Sequence, residues 1–471
     1  MSGLRRRPQG AGRGAALAML LATAACSTAP DYVRPSTAAP AAYKEAAGWQ
    51  AAGTNLASPG RWWEVFADPV LTGLEERVVA GNQDLAVAAA RYEQARALAR
   101  QARADRFPQV GVSADVSRDR VSDGRPLAPG GAAPYTVGTV GASLAYELDL
   151  FGRVRNSVRA STADAAASAA DVAAVTLGLQ AQLAGIYFDM RGLDARIVLL
   201  RQTVAANERA YQLTETRHGG GIASGIDVSR AQTLLSSARA ELSAVGVARQ
   251  RDEHAIAVLL GELPSTFALA VDDRQLAPPP IPAGLPSTLL ERRPDIAAAE
   301  RRVAAANAQI GVARAAFFPA LTLSTAAGYR SSTLDDIVRA PNLFWSIGPA
   351  LALSVFDNGA RRAAVDSAGF AVEQAAAAYR QVVITSLQEV EDNLAAAAVL
   401  QDELAVQQQA LVAARKALEV ANNQYRAGIV SYLNVVTAQA TVLSAQRSLV
   451  DVRNRRLVAV NVLLKNIGGS F

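Results

Sequence analysis

Residues 383–425 read, in blocks of seven, VITSLQE-VEDNLAA-AAVLQDE-LAVQQQA-LVAARKA-LEVANNQ-Y, and every block from Val383 to Tyr425 begins with an apolar residue. After a short interruption the same spacing continues from Val436 to Leu464. Heptads sustained over this length predict that the helices pack as coiled coils rather than around one globular core. An unbroken helix from Gly359 to Ala427 would be about 100 Å long at 1.5 Å per residue.

The two halves of the chain repeat the same order of segments. Arg106-Phe107-Pro108 returns as Phe317-Phe318-Pro319, and Gly221-Ile222 returns as Gly428-Ile429, 207 residues later. Each half reads as a helix, two strands, a very long helix, a tight turn and a last helix, which is the pattern of an internal repeat. The predicted divisions are a signal peptide (1–25), a lipidated arm (26–60), a first repeat (61–261), a Pro-rich connector (262–293) and a second repeat (294–471).

Four segments alternate apolar with polar residues, as Val110, Val112 and Val116 do with their neighbours. About ten residues of such alternation are typical of a transmembrane β-strand, although half-buried strands of soluble sheets share it. The predicted membrane strands lie at about 108–118, 136–149, 319–329 and 345–356.

Four strands cannot close a barrel, and an open sheet edge cannot face lipid because its backbone groups would lack hydrogen bonds. Two copies would give eight strands with a filled interior, whereas three give twelve strands with room for a lumen. Charges such as Asp164, Asp171, Arg191 and Arg196 keep the helices out of the membrane. The predicted fold is therefore mainly α with membrane β: a trimeric channel with a 12-stranded β-barrel and a coiled-coil α-barrel.

The N-terminus has the pattern of a secretory signal. Four arginines precede a short apolar run, and Thr23-Ala24-Ala25 leads to Cys26. A bacterial lipoprotein signal ends in small residues before a cysteine that takes a diacylglycerol, and only Thr23 departs from this pattern. We expect Cys26 to carry the lipid; the alternative is an ordinary signal with an incidental cysteine.

Composition argues against several classes of function. Removing the signal leaves 43 basic and 42 acidic residues, so the high isoelectric point does not indicate nucleic-acid binding. One cysteine and two histidines, His218 and His254, cannot form a disulfide or a Cys/His metal site within one chain. Gly219-Gly220-Gly221 lacks the Lys-Ser/Thr of a phosphate loop and fits a turn with positive φ. We expect no catalytic residue, metal or cofactor.

Several motifs resemble a known family. They are Trp62-Trp63 with Asp68-Pro69, YELDLFGR at 146–153, LLERRPDI at 289–296, and Phe317-Phe318-Pro319. In this order they resemble the TolC-like outer membrane factors of tripartite efflux systems, specifically the NodT-type lipoprotein branch. The resemblance runs from Cys26 to the C-terminus.

The resemblance implies a homotrimer in the outer membrane that extends into the periplasm. It also implies a periplasmic adaptor protein and an inner-membrane RND-type transporter as partners, with small molecules as cargo. One alternative is the outer-membrane duct of a type I protein secretion system. A second is a non-conducting structural coiled-coil lipoprotein. The sequence leaves the cargo open among drugs, metals and aromatic acids.

The two tight turns are the predicted docking tips for the adaptor. Their residues are Gly221, Ile222, Ala223, Ser224, Gly428, Ile429, Val430 and Ser431. Beside them lie the predicted residues of a periplasmic gate: Arg217, Asp227, Tyr425, Arg426 and Asn434. In similar channels an aspartate and a tyrosine at the places of Asp227 and Tyr425 link neighbouring coils, and Arg426 is the nearest substitute for a basic partner that this sequence lacks. The alternative is that Tyr425 is only the last heptad residue.

Two charged motifs are interpreted as helix starts rather than chemical sites. Glu147 and Asp149 precede Gly152 and are expected to cap the next helix. Arg293-Pro294-Asp295 has proline in a first helical turn with an acid behind it.

Overall fold

The computed structural model describes residues 28–37, 40, 42–46, 60–122, 133–272, 274, 276–279 and 292–469. The predicted signal 1–25, Cys26 and connector residues 280–291 lie outside these ranges. The chain divides into two compact units. One comprises Met1–Ser36, Arg91–Ala169 and Ala298–Tyr379, and the other Thr37–Ala90, Ala170–Ala297 and Arg380–Phe471.

The helices repeat in length as well as in order. They are α1 (Pro69–Gly81), α2 (Gln83–Ala104), α3 (Arg153–Gly219), α4 (Gly225–Leu259), α5 (Pro294–Ala315), α6 (Ala360–Arg426) and α7 (Tyr432–Asn466). Helices α2 and α5 each have 22 residues, α3 and α6 each have 67, and α4 and α7 each have 35. The last two pairs begin 207 residues apart, which is the spacing of the Gly-Ile turns in the sequence.

The one helix that the repeat pattern predicts before the first strands is in fact two helices, α1 and α2, separated at Asn82. The Asn82 side chain donates from Nδ2 to the Leu259 carbonyl at 2.7 Å and accepts from the Leu85 amide at 3.0 Å. A Cβ on Gly81 would lie 2.2 Å from the Leu260 carbonyl oxygen. The end of α4 therefore presses against this point, and the break follows from a tertiary contact that local helix propensity does not encode.

The strands β1 (Gln109–Asp119), β2 (Tyr135–Leu148), β3 (Ala320–Ser331) and β4 (Leu343–Ala352) form one antiparallel sheet in the order β1-β2-β3-β4. The expected fourth strand, 345–356, was wrong at its end, since β4 stops at Ala352. Ala352 pairs with Ala320, the first residue of β3. The next pair along β4 would need Pro319, which has no N–H to donate, so the ladder ends there.

The register sorts the side chains of the sheet by polarity. Val112 pairs with Ala142, which pairs with Ala327, which pairs with Trp345, so these four share one face. The large exposed apolar residues of that face include Val110, Val112, Val116, Trp345, Ile347 and Leu351. The opposite face carries Ser113, Ser143, Ser324 and Ser346. This is the arrangement of a barrel wall with lipid on one side and an aqueous lumen on the other.

The largest apolar core lies in the second unit. Trp62, Tyr187, Phe188, Leu394 and Leu463 are buried in it. Part of α3 is apolar enough to cross a membrane by length and composition. Some of its residues, among them Leu183, Tyr187 and Phe188, are buried in this core.

The start of α1 is tied to the same core. Asp68 accepts from the Val70 amide at 2.8 Å through one carboxylate oxygen and from the Tyr187 hydroxyl at 2.7 Å through the other. The Trp-Trp and Asp-Pro motifs of the sequence thus form a capped helix start and its apolar anchor.

The structure confirms that the two charged motifs are helix starts. Asp149 accepts from the amides of Val154 (3.1 Å) and Arg155 (2.7 Å) at the start of α3. Glu147 forms a two-point pair with Arg153, at 2.7 and 2.6 Å.

In the second unit, buried Arg293 stands before α5. It binds Asp295 at 2.7 Å, Glu389 of α6 at 2.9 Å and the Asn466 carbonyl at the end of α7 at 3.2 Å. Arg293 therefore fastens three helix segments together.

Candidate functional site

The turns α3–α4 and α6–α7, here called the tips, have the same backbone design. Gly221 has φ 76° and Gly428 has φ 73°, in the left-handed region that favours glycine. The amides of the next residues donate back to the helix, Ile222 to the Arg217 carbonyl at 2.8 Å and Ile429 to the Gln424 carbonyl at 2.9 Å. Each long helix thus ends in a glycine C-cap, and the next helix can start at once.

Both tips expose aliphatic side chains at matching positions. The exposed fractions are 76% for Ile222 and 63% for Ile226 at the first tip, and 72% for Ile429 and 43% for Leu433 at the second. In each pair the first residue lies in the turn and the second in the first turn of the helix that follows. We call these four residues the tip ridges.

An open groove runs between the starts of α4 and α7. Its walls include Ile226, Thr233, Leu433 and Val436. Two members of the tip ridges therefore line a concave surface. The sequence predicts Ile222 and Ile429 as tip residues but not Ile226 and Leu433, whose 207-residue spacing is the signal that could have found them.

Behind the tips, an aromatic cluster joins the helix pair α3–α4 to the helix pair α6–α7. The Arg217 guanidinium carbon lies 5.2 Å from the centroid of the Tyr425 ring, and the Tyr425 and Tyr432 rings are 5.5 Å apart. Tyr432 is buried with Ala231, Ala421 and Val435. Burial raises the pKa of Tyr432, and the nearby Tyr425 and Asp227 raise it further. Tyr432 is not among the gate residues predicted from the sequence.

Asp227 caps α4. Its carboxylate accepts from the Ser224 backbone amide at 3.3 Å, and its own amide donates to the Ser224 Oγ at 3.3 Å, which together make a capping box. Its cation is Arg230, at 3.9 Å, not the expected Arg426.

The structure therefore brings together only part of the predicted gate. Arg217 and Tyr425 are in contact, while Asp227 serves its own helix. Arg426, at the last position of α6, and Asn434, in the first turn of α7, are exposed.

Farther from the tips, polar contacts cross between the coils. Glu241 of α4 is paired with Arg447 of α7 and lies 3.7 Å from Arg196 of α3. Burial lowers the pKa of Arg447, and the like charge of Arg196 adds to the effect. Asn454 of α7 donates to Asp189 of α3 at 2.6 Å. These links hold α7 against α3 and α4.

In the first unit, residues 28–34 of the arm run along the surface of α5. The Thr28 hydroxyl lies 3.0 Å from the Phe151 carbonyl and 2.8 Å from the Gly311 carbonyl. Asn307 donates to the Pro30 carbonyl at 2.9 Å.

The arm is also held by its side chains. Tyr32 donates to Glu300 at 2.5 Å, and Arg34 donates to the Tyr379 hydroxyl at 3.1 Å. Burial raises the pKa of Tyr32 and its bond to Glu300 raises it further.

The arm begins where the membrane strands end. Phe151, just after β2, stacks on Phe318, just before β3, with ring centroids 4.6 Å apart. Cys26 lies outside the described residues, two positions before Thr28 in the sequence. Aromatic side chains are typical of the level where a barrel meets the lipid head groups.

Comparison with known proteins matches this architecture. Residues 74–262 and 285–469 match the model of a family described as outer membrane efflux protein. The chain is 34% identical to the toluene efflux pump outer membrane protein TtgC of Pseudomonas putida over 95% of this chain and 93% of that protein. It is 32% identical to the outer membrane protein OprJ of Pseudomonas aeruginosa, over 97% and 95%.

Solved structures show the same fold. The outer-membrane channel OprN superposes with a TM-score of 0.88 at 32% identity, covering 94% of this chain and 99% of that one. CusC, whose structures concern folding and transmembrane channel formation, superposes with a TM-score of 0.82 at 29% identity, covering 94% and 100%. The expected trimeric fold, with a 12-stranded β-barrel and an α-barrel, is confirmed. The chain belongs to the outer membrane efflux protein family and is an outer-membrane efflux channel.

Proposed function

We propose that this channel is the passive exit duct of a tripartite pump for small molecules, joined by a periplasmic adaptor to an inner-membrane RND-type transporter. The observation that carries the proposal is the pair of tip ridges. Ile222 and Ile226 at one tip, and Ile429 and Leu433 at the other, expose aliphatic surface at equivalent positions.

Exposed apolar clusters of this kind mark interaction surfaces. In chain order α3 follows β2 and ends at the first tip, and α6 follows β4 and ends at the second, so we place the proposed partner in the periplasm. The groove between α4 and α7 offers that partner a concave seat, lined by Ile226, Leu433 and Val436. All eight predicted tip residues keep the role of a docking surface in this proposal, with the ridges supplying the contact area.

The adaptor contact is tested by substituting Ile222 and Ile429 together. Ile→Asp at both should abolish efflux and co-purification of the adaptor while the trimer still assembles, because a charge replaces apolar contact surface. Ile→Leu at both is the matched control and should keep efflux. Full efflux and full co-purification in the Asp variant would overturn the docking role. Failure to trimerise would show that the residues are structural.

We also propose that the contact between Arg217 and Tyr425 holds the periplasmic end closed at rest. A resting tube must not leak, and this contact joins α3 to α6 close to both tips. The same end of the helices carries the other three predicted gate residues: Asp227, in the capping box of α4, Arg426 and Asn434. An isolated contact of this kind contributes little, about 0.5–1 kcal/mol, so closure relies on its repetition in three chains.

Finally, we propose that Cys26 carries the lipid. Its support is the docked arm, which brings Thr28 to the Phe151 carbonyl, where β2 ends. Cys26→Ala should abolish incorporation of labelled fatty acid, and labelling that persists would overturn the assignment. The trimer should still insert, since the barrel itself has an apolar outer face.

A further inference from the structure

One row of residues crosses the polar face of the sheet near its outer end. Ser113 pairs with Gly141, Gly141 with Gly328, and Gly328 with Phe344. The polar face lines the lumen, so an aromatic residue there is unusual and has two glycines beside it.

The Phe344 ring extends along the wall rather than straight into the lumen. Its outer atom, Cζ, comes within 3.5 Å of the position that a Cβ on Gly141 would occupy, two strands away, and the Ala327 carbonyl oxygen lies closer to that position, at 2.9 Å. A Cβ on Gly328, between them, would lie 2.3 Å from the Val140 carbonyl oxygen. The glycine pair therefore forms a recess, and the ring lies across it. Aromatic rings commonly cover strand glycines in this way.

Arg330 holds the ring from the next position on the same face. Its guanidinium carbon lies 5.2 Å from the centroid of the Phe344 ring. Its Nε donates to the Thr139 hydroxyl at 3.3 Å, which anchors the guanidinium to β2. The ring is thus fixed between the glycine recess and an anchored cation.

We propose that the Gly141–Gly328 recess together with Arg330 keeps the Phe344 ring against the wall, so that the ring does not narrow the barrel exit and the bore stays open. In the trimer three such rings surround the lumen at one level. Any change that fills the recess or frees the ring sends three aromatic side chains toward the axis. The proposal concerns the barrel alone and does not depend on the adaptor or the gate.

The test uses a reporter cysteine at Ser346, the next lumen-facing residue on the periplasmic side of Phe344. Intact cells carrying Ser346→Cys are exposed from outside to a small and to a bulky membrane-impermeant maleimide. Cells that carry the unmodified chain without the reporter give the background labelling. Because reagents enter through the barrel, the state of the periplasmic end does not affect the readout.

Gly141→Val should slow the bulky maleimide about tenfold or more and leave the small one unchanged. Adding Phe344→Ala to Gly141→Val should restore the rate, because the obstruction is the displaced ring. Ser143→Val, which adds the same bulk on the same face of β2, should have no effect. Phe344→Ala alone should change the rate less than twofold.

Three results would overturn the proposal: a normal rate in Gly141→Val, no rescue in the double variant, or a large acceleration in Phe344→Ala alone. If strain at Gly141 prevents trimer assembly, Arg330→Ala frees the ring without altering the backbone. It should slow the bulky maleimide, again with rescue by Phe344→Ala, and an unchanged rate there would also contradict the proposal.

Discussion

The guanidinium of Arg217 stacks on the ring of Tyr425, 5.2 Å from its centroid, and so joins the end of α3 to the end of α6. This contact uses the face of the ring, not its hydroxyl. It gives the predicted gate a cation–π link.

Removing either partner should loosen the closed end. Arg217→Ala and Tyr425→Leu should each increase the uptake of a large hydrophilic dye by cells several-fold, because three links are lost per trimer. Tyr425→Phe keeps the ring face and should behave like the unmodified chain. Equal uptake in all variants would place the closure elsewhere, and leakage in Tyr425→Phe would assign it to the hydroxyl.

Glu75 should make the stability of the protein depend on pH. It is fully buried in α1, neither carboxyl oxygen has a hydrogen-bond partner, and burial raises its pKa from 4.5 to about 9. The folded chain therefore holds this proton far more tightly than the unfolded chain. The contribution to stability is fully present below about pH 4.5 and declines as the pH rises toward 9, by up to about 1.4 kcal/mol per pH unit.

Glu75→Gln should remove this dependence, so that the thermal stability of the trimer in detergent varies less between pH 5.5 and 8.5. Glu76→Gln is the control, since Glu76 is exposed and paired with Arg61. Glu75→Leu should stabilise the protein at pH 8, because an apolar side chain avoids the cost of a buried polar group. A pH profile unchanged by Glu75→Gln would show that Glu75 is ionised or hydrated.

Arg293 should be more sensitive to substitution than its neighbour. Arg293→Ala removes the buried cation that joins Asp295, Glu389 and the Asn466 carbonyl, and because the two carboxylates are partly exposed it should cost about 1–3 kcal/mol. Arg293→Lys should be intermediate, because an ammonium cannot form the two-point pair with Asp295. Thermal unfolding of the purified trimer measures both. Arg292→Lys, at the exposed position beside it, should be nearly neutral, and an equal loss there would contradict this role.

Gly311 should be required for docking of the arm. A Cβ at Gly311 would lie 2.6 Å from the Ala29 Cβ and 2.4 Å from the Asn156 Nδ2. Gly311→Ala should therefore speed hydrogen exchange of arm residues 29–34 by tenfold or more. Gly369→Ala, where no atom lies within 4 Å of the added Cβ, should leave the exchange unchanged. Protection that survives Gly311→Ala would mean that the arm is held elsewhere.

The sequence predicted the parts of the fold that depend on local periodicity. The heptads ending at Tyr425 and the Gly221 and Gly428 turns gave the long helices to within a few residues. Alternation gave the strands, except for the end of β4, where the pattern of Leu353 and Val355 continues but the hydrogen-bond partner does not. The break at Asn82 was missed because it depends on the distant end of α4.

The candidate site was predicted less well, because contacts between coils leave no periodic signal. Tyr432 is adjacent to a predicted tip residue, yet nothing in its neighbourhood indicates that it packs on Tyr425. Asp227 could have been assigned correctly, since Ser224 three residues before it is the spacing of a capping box. The resemblance to related channels favoured a coil link there instead.

The central claim is that three copies of this chain enclose a continuous aqueous path, and single-channel recording tests it most directly. Purified trimers inserted in a planar lipid bilayer should give discrete conductance steps, small for the unmodified chain and larger for Arg217→Ala. Inserted, correctly assembled trimers of both forms that give no conductance would contradict the claim, and would favour a structural coiled-coil lipoprotein.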